Sequence, residues 1–202
     1  MSLSQFIVLF VVVCQSYSVE ILNDKEKFLY FGYGSNLLEK RIHINNPTAT
    51  FFSPAKLSGY RLDFNIFSEY WNGAAATIVE DSDSHVWGAL WTLHIADMSS
   101  LDKQEGVDTN FYYPKNVTVV TPSGHVYIAR TYIETINPPK VPSNEIPPER
   151  QPSDTYMQVI IIGALESSLP TEYINFLRTF STNGKLGSQS IRQSLGYPFN
   201  VS

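Results

Sequence analysis

Residues Phe28 to Arg41 read FLYFGYGSNLLEKR, and their order constrains the chain more than any other stretch. The apolar and aromatic run from Phe28 to Phe31 has the pattern of a buried strand, and Gly32 and Gly34 end it. Leu37, Leu38, Arg41, Ile42 and Ile44 then suggest a short helix. Asn36 stands where a cap belongs, and Glu39 follows three residues later to complete a capping box. The stretch therefore predicts a strand, a tight turn and a helix. Such a turn exposes backbone N–H groups beside a Ser hydroxyl and an Asn amide, and converging donors at a helix start suit a carboxylate or a developing oxyanion. On periodicity alone, the same residues fit a turn in which Ser35 and Asn36 only cap the helix.

Two narrower readings of the turn fail on residue identity. Gly32-Tyr33-Gly34-Ser35-Asn36-Leu37 begins like a dinucleotide fingerprint, but Leu37 stands where the third glycine belongs, and no acidic residue lies about twenty positions on. A nucleophile elbow needs glycines on both sides of a serine, spaced G-x-S-x-G, and Ser35 lacks them. The four histidines (43, 85, 94 and 125) have neither the close spacing nor the thiolate help of a metal site.

The remaining chain reads as a single α+β domain. Tyr60, Leu62, Phe64 and Ile66 alternate with polar or small residues, and Ala74–Val79 and Val86–Leu93 follow at short intervals, which predicts several strands of a largely antiparallel or barrel-like sheet. Asp97 to Gly106 reads as a short capped helix, and Phe111–Thr121 pairs with His125–Ile136 across Pro122-Ser123-Gly124 as a hairpin. Residues 137–152 carry six of the twelve prolines, which predicts a loop, either a cover or a tether. Helices are expected through Tyr156–Ala164 and after Pro170, followed by an irregular tail at 181–202. The charge balance, 14 basic against 19 acidic residues, gives no electrostatic reason to expect a nucleic acid or an anionic membrane as partner.

Residues 1–18 carry no charged side chain, and Phe6–Val13 is an apolar block too short to span a bilayer, followed by small Ser16 and Ser18. This predicts a signal peptide cut after about Ser18, hence a secreted protein. The cut would remove Cys14, the only cysteine, leaving a fold without disulfides. Asn116-Val117-Thr118 is a glycosylation sequon, making Asn116 the candidate acceptor, and Asn200-Val201-Ser202 sits at the end of the chain.

Three separated motifs, FLYFGYGSNLLEKRIHINNP, VWGALWTL followed by SSLDKQEGV, and PSDTYMQVIIIGALESSLP, resemble the γ-glutamylcyclotransferases in order and spacing from about residue 28 to 180. The resemblance implies a small closed mixed β-barrel with flanking helices, no cofactor, no metal, and a homodimer. It also implies a loop (Tyr30, Phe31, Gly32, Tyr33, Gly34, Ser35 and Asn36) that binds a γ-glutamyl group, Glu105 as catalytic acid and base, and Tyr156 as a substrate contact. The expected reaction is closure of the γ-glutamyl group of γ-glutamyl amino acids or peptides to 5-oxoproline. Relatives specific for glutathione or for γ-glutamylamines are the rivals within the family, and a non-catalytic binding protein is the rival of another class. Asn36 favours the first reading, since the glutathione-specific branch carries leucine there. Most of the family is cytoplasmic, which is the alternative to secretion. If Glu105 closes a short helix, the negative helix end should raise its pKa.

Overall fold

The computed structural model describes residues 18–20, 22 and 24–199. The leader therefore lies outside the described residues apart from Ser18, as does the sequon at 200–202. Six strands, β1 (Val19–Glu20), β2 (Lys27–Gly32), β3 (Thr50–Ser68), β4 (Gly73–His94), β5 (Tyr112–Val120) and β6 (Val126–Glu134), are joined in the order β1-β6-β2-β4-β3-β5, and a further pairing of β5 with β6 closes a five-stranded barrel. The barrel is mixed because β2 runs antiparallel to β4 (Lys27↔His94 to Gly32↔Ala89) and parallel to β6 (Tyr30↔Arg130). β1 extends the β2 edge of β6 through Val19↔Val126.

The unbroken apolar reading of β2 follows from its place. Leu29, Tyr30 and Phe31 are buried on both faces, so no polar alternation survives. The segments expected as several strands form two very long ones. β3 and β4 pair from Thr50↔Thr92 to Ser68↔Gly73, with register shifts at Phe51/Ser53, Ser58/Tyr60 and Phe64/Phe67. These irregularities break the period-two pattern in the sequence while the ladder bends around the barrel. The β5–β6 hairpin forms as expected, from Tyr112↔Glu134 to Val120↔Val126.

The helices lie at α1 (Glu39–Ile42), α2 (Met98–Gln104), α3 (Asp154–Glu166), α4 (Thr171–Leu177) and α5 (Gln189–Leu195). α3 is capped by Ser153, whose hydroxyl accepts from Tyr156 N at 3.2 Å, and its Gly163 packs directly on the backbone of Leu37 and Leu38. The Pro-rich segment 137–152 is a tether from β6 to α3, and none of its residues lines the main cavity. It is tied to β3 by Arg61 Nη2 to Pro138 O (2.6 Å) and by the buried pair Arg150–Asp63 (2.5 Å).

The expectation of an irregular tail at 181–202 is corrected by α5, which buries Ile191 and Leu195 in the core. Two apolar side chains four residues apart dock one face of this short helix, a signal too brief to read among its Ser, Gly and Asn neighbours. Polar bonds do the rest: Asp154 N to Lys185 O (2.9 Å), Gly187 N to Thr155 Oγ1 (3.0 Å) and Lys40 Nζ to Leu195 O (2.9 Å).

Candidate active site

A cavity of about 830 Å³ opens at the end of the barrel, between the turn after β2, the C-terminal end of α2, the β3–β4 turn and α3. It has the size of a small-molecule site. Residues Ser35–Leu37 form one turn of 3₁₀ helix in which all three are buried. The expected capping box does not form. α1 begins after Leu38 without a side-chain cap, and the amide of Asn36 turns instead toward the cavity. Asn36 Nδ2 donates to Tyr30 Oη (2.9 Å) and to Glu105 Oε1 (3.1 Å). Helix propensity alone favours a cap at such a residue, but a half-buried carboxylate offers the amide a stronger acceptor.

Glu105 sits at the C-cap of α2, and Gly106 reverses the chain behind it in the left-handed conformation (φ 66°) that glycine takes without strain. Gln104 Nε2 donates to the same Oε1 at 3.2 Å, and Gln104 Oε1 accepts from the fully buried Asn46 at 3.1 Å. A chain of amides thus fixes one carboxylate oxygen. Among the described residues, Oε2 accepts no hydrogen bond. Burial raises the pKa of Glu105 above the usual carboxylate value, and the Arg41 charge and the two amide bonds pull partly against it. The direction matches the sequence expectation, while the dominant cause is desolvation.

Tyr30, Tyr33, Tyr70, Tyr112, Tyr132 and Tyr156 also line the cavity. Tyr156 lies against Trp71 (ring centroids 4.6 Å apart), and its hydroxyl accepts from Ala76 N at 3.1 Å, which keeps its proton for donation. Burial pushes its pKa up to about 12. A Cβ on Gly34 would lie 3.2 Å from this hydroxyl, so the glycine lets the turn approach α3. Tyr33 Oη donates to Tyr132 O (2.5 Å) and Tyr112 Oη to Ala76 O (2.9 Å). Burial holds both hydroxyls in the protonated form, well above the usual phenol value.

Of the residues expected at the site, Tyr30, Tyr33, Gly34, Ser35, Asn36, Glu105 and Tyr156 all line this one cavity. Phe31 and Gly32 do not. Alternation along β2 turns Phe31 to the face opposite Tyr30, where its side chain is fully buried beside Tyr33, while Gly32, paired with Ala89 as the last residue of β2, has no side chain to reach the opening. The expected sugar acceptor Asn116 is exposed on β5. Arg41, Gln104, Tyr112 and the Tyr70–Trp71 pair also line the cavity and were not singled out from the sequence. Only Arg41 carried a usable signal there, as a cation on the otherwise apolar face of its helix.

Such an arrangement, a half-buried carboxylate held by amides among protonated tyrosine hydroxyls, lies in a small-molecule cavity on a closed mixed barrel and has the groups that acid–base chemistry needs. Residues 85–177 match the AIG2-like family. The chain is 44% identical to a gamma-glutamylcyclotransferase of Bos taurus and 39% identical to one of Homo sapiens, each over 171 residues that cover 83% of this chain and 86% of the relative. A solved structure of a gamma-glutamyl cyclotransferase superposes with a TM-score of 0.76 at 36% identity, covering 85% of this chain and 99% of the other. The chain belongs to the γ-glutamylcyclotransferase family.

Proposed function

We propose that this γ-glutamylcyclotransferase closes the γ-glutamyl group of γ-glutamyl amino acids onto itself, with Glu105 moving the protons. The substrate carries its own nucleophile, an α-amino group within reach of its γ-carbonyl. Attack forms the C–N bond of the five-membered lactam, and the bond from the carbonyl to the leaving nitrogen breaks. No protein nucleophile is needed, and an oriented intramolecular attack has an effective molarity of roughly 10⁵ M or more. The cavity has to hold the folded-back conformer, shed water and move protons.

Glu105 takes a proton from the α-ammonium and returns one to the departing amino group. A carboxyl with a pKa raised toward neutrality suits both halves of that exchange, and general acid–base catalysis of this kind contributes ~10²–10⁴-fold. The tyrosine hydroxyls and the 35–37 turn surround the bound group, and Ser35 is assigned to holding substrate, with no covalent role. The observation that carries the reading is the Glu105 carboxylate, lining the cavity and fixed through Oε1 by Asn36 and Gln104. A pure binding protein has no need of such a group.

The proposal extends to a secreted homodimer released from its leader after about Ser18. The leader is supported by the uncharged apolar start of the chain and by β1, which begins at Val19, and the homodimer rests on the family resemblance. Incubation of the mature chain with γ-glutamyl-alanine, glutathione and γ-glutamyl-lysine tests the function. Release of 5-oxoproline is expected to be fastest from γ-glutamyl-alanine. Preference for either other substrate would move the chain to a rival branch, and inertness toward all three would favour a binding protein.

A further inference from the structure

Arg41 is 8% exposed, yet its Nε and Nη1 have no hydrogen-bond partner. Among the described residues no carboxylate lies within 4.0 Å of it. Its guanidinium lines the active cavity and stands 6.0 Å from the centroids of both the Tyr70 and the Trp71 ring. Rings at that distance recover little of the hydration a buried cation gives up, and each unmade bond of a buried donor costs about 1–3 kcal/mol. Donors left in this state inside a cavity fit a ligand acceptor.

The chemistry of that acceptor follows from the carboxylate that shares the cavity. Arg41 and Glu105 line the same cavity without closing into an ion pair, and the Arg41 charge is the largest influence lowering the Glu105 pKa. The Arg41 cation and the Glu105 carboxylate, held apart in a cavity whose lining also includes the exposed Glu69, are complementary to an α-amino-acid head, whose ammonium and carboxylate sit on the same carbon. Orientation follows from the reaction. The ammonium has to meet Glu105, which leaves its neighbouring carboxylate for the cation, and a planar guanidinium takes a carboxylate through two parallel bonds.

We propose that Arg41 binds the α-carboxylate of the γ-glutamyl head, and so makes the cavity select an α-amino acid and present its amino group to Glu105. This assignment rests on the cyclotransferase reading. It predicts that recognition is directed at the half of the substrate that becomes 5-oxoproline, a product that keeps the same carboxylate.

Three substrates and two variants test it: γ-glutamyl-alanine, the same dipeptide with its α-carboxylate amidated, and γ-glutamyl-alaninamide, each given to wild type, Arg41→Lys and Arg41→Met. Wild type is expected to lose about 10- to 100-fold in KM on α-amidation and little on amidation of the alanine, the size of charge-assisted bonds removed from a buried site. Arg41→Met should show the same loss with the parent dipeptide and no further loss with its α-amidated form, while Arg41→Lys falls between. Equal wild-type KM for the parent and the α-amidated dipeptide would overturn the assignment without any variant. An Arg41 effect that vanishes only with γ-glutamyl-alaninamide would move the contact to the leaving amino acid. If wild type releases 5-oxoproline from none of them, the cyclotransferase reading itself fails. Calorimetric binding of 5-oxoproline against its amide still decides the role of Arg41: tighter binding of the acid, lost in Arg41→Met, supports it, and equal binding refutes it.

Discussion

Replacing Gly163 by alanine sets two opposing effects against each other at the joint between α3 and the substrate loop. Alanine is intrinsically better in a helix interior by about 1 kcal/mol. A Cβ built at Gly163, however, would press on the backbone N of Leu38 and the carbonyl C of Leu37, and would lie 2.7 Å from Leu37 Cβ. Those atoms are not a flexible side-chain end. Leu37 O is fixed by Ser167 Oγ at 3.2 Å, and both leucines are buried. Overpacking of this kind costs ~1–3 kcal/mol and more where backbone has to move, so the clash outweighs the propensity gain. The net loss should be about 1–2 kcal/mol, a fall in Tm of roughly 2–8 °C for a chain of this size. Thermal unfolding followed by circular dichroism measures it, alongside KM, which should rise because the displaced backbone carries Asn36. A Gly163→Ala protein as stable as wild type, with unchanged KM, would show that α3 does not hold the loop as described.

Glu134 is fully buried near the cavity, accepting from Ile66 N at 3.1 Å, and burial raises its pKa to about 7 in spite of that bond. The folded state therefore binds this proton more tightly than the unfolded chain. Stability from this group is complete below about pH 4.5 and is lost as pH rises to about 7, by an amount on the order of 3 kcal/mol. Urea unfolding across that window should show the decline, and Glu134→Gln should flatten it; an equal slope in the variant contradicts the account. Tyr156→Phe removes the acceptor of Ala76 N–H, so it should cost about 1–3 kcal/mol in chemical denaturation and raise KM while the ring still lies on Trp71. Sequencing the amino terminus of the expressed protein should give Val19, and a start at Met1 would refute cleavage of the leader.

The parts of this molecule legible in its sequence are those where one local rule acts alone. β2 could be read because burial on both faces makes it continuously apolar, and the β5–β6 hairpin because Pro122-Ser123-Gly124 interrupts two strand patterns. α5 was not legible, since it depends on Ile191 and Leu195 finding a core that distant elements build. The same limit governs the site. The glycine turn announces itself, but its Asn36 looked like a helix cap until Glu105, from 69 residues away, supplied an acceptor. Arg41 shows in the sequence only as a cation on an apolar helix face, and that its donors lack partners can be known only once every neighbour is in place.

The central claim is that Glu105 carries the protons of ring closure. Wild type and Glu105→Gln should be compared with γ-glutamyl-alanine at saturating concentration, following 5-oxoproline and free alanine together. The account predicts equal amounts of the two products from wild type. It predicts a fall in kcat of ~10²–10⁴-fold in the variant, with KM little changed because glutamine keeps the shape that Asn36 and Gln104 hold. A variant that turns over at the wild-type rate would contradict it.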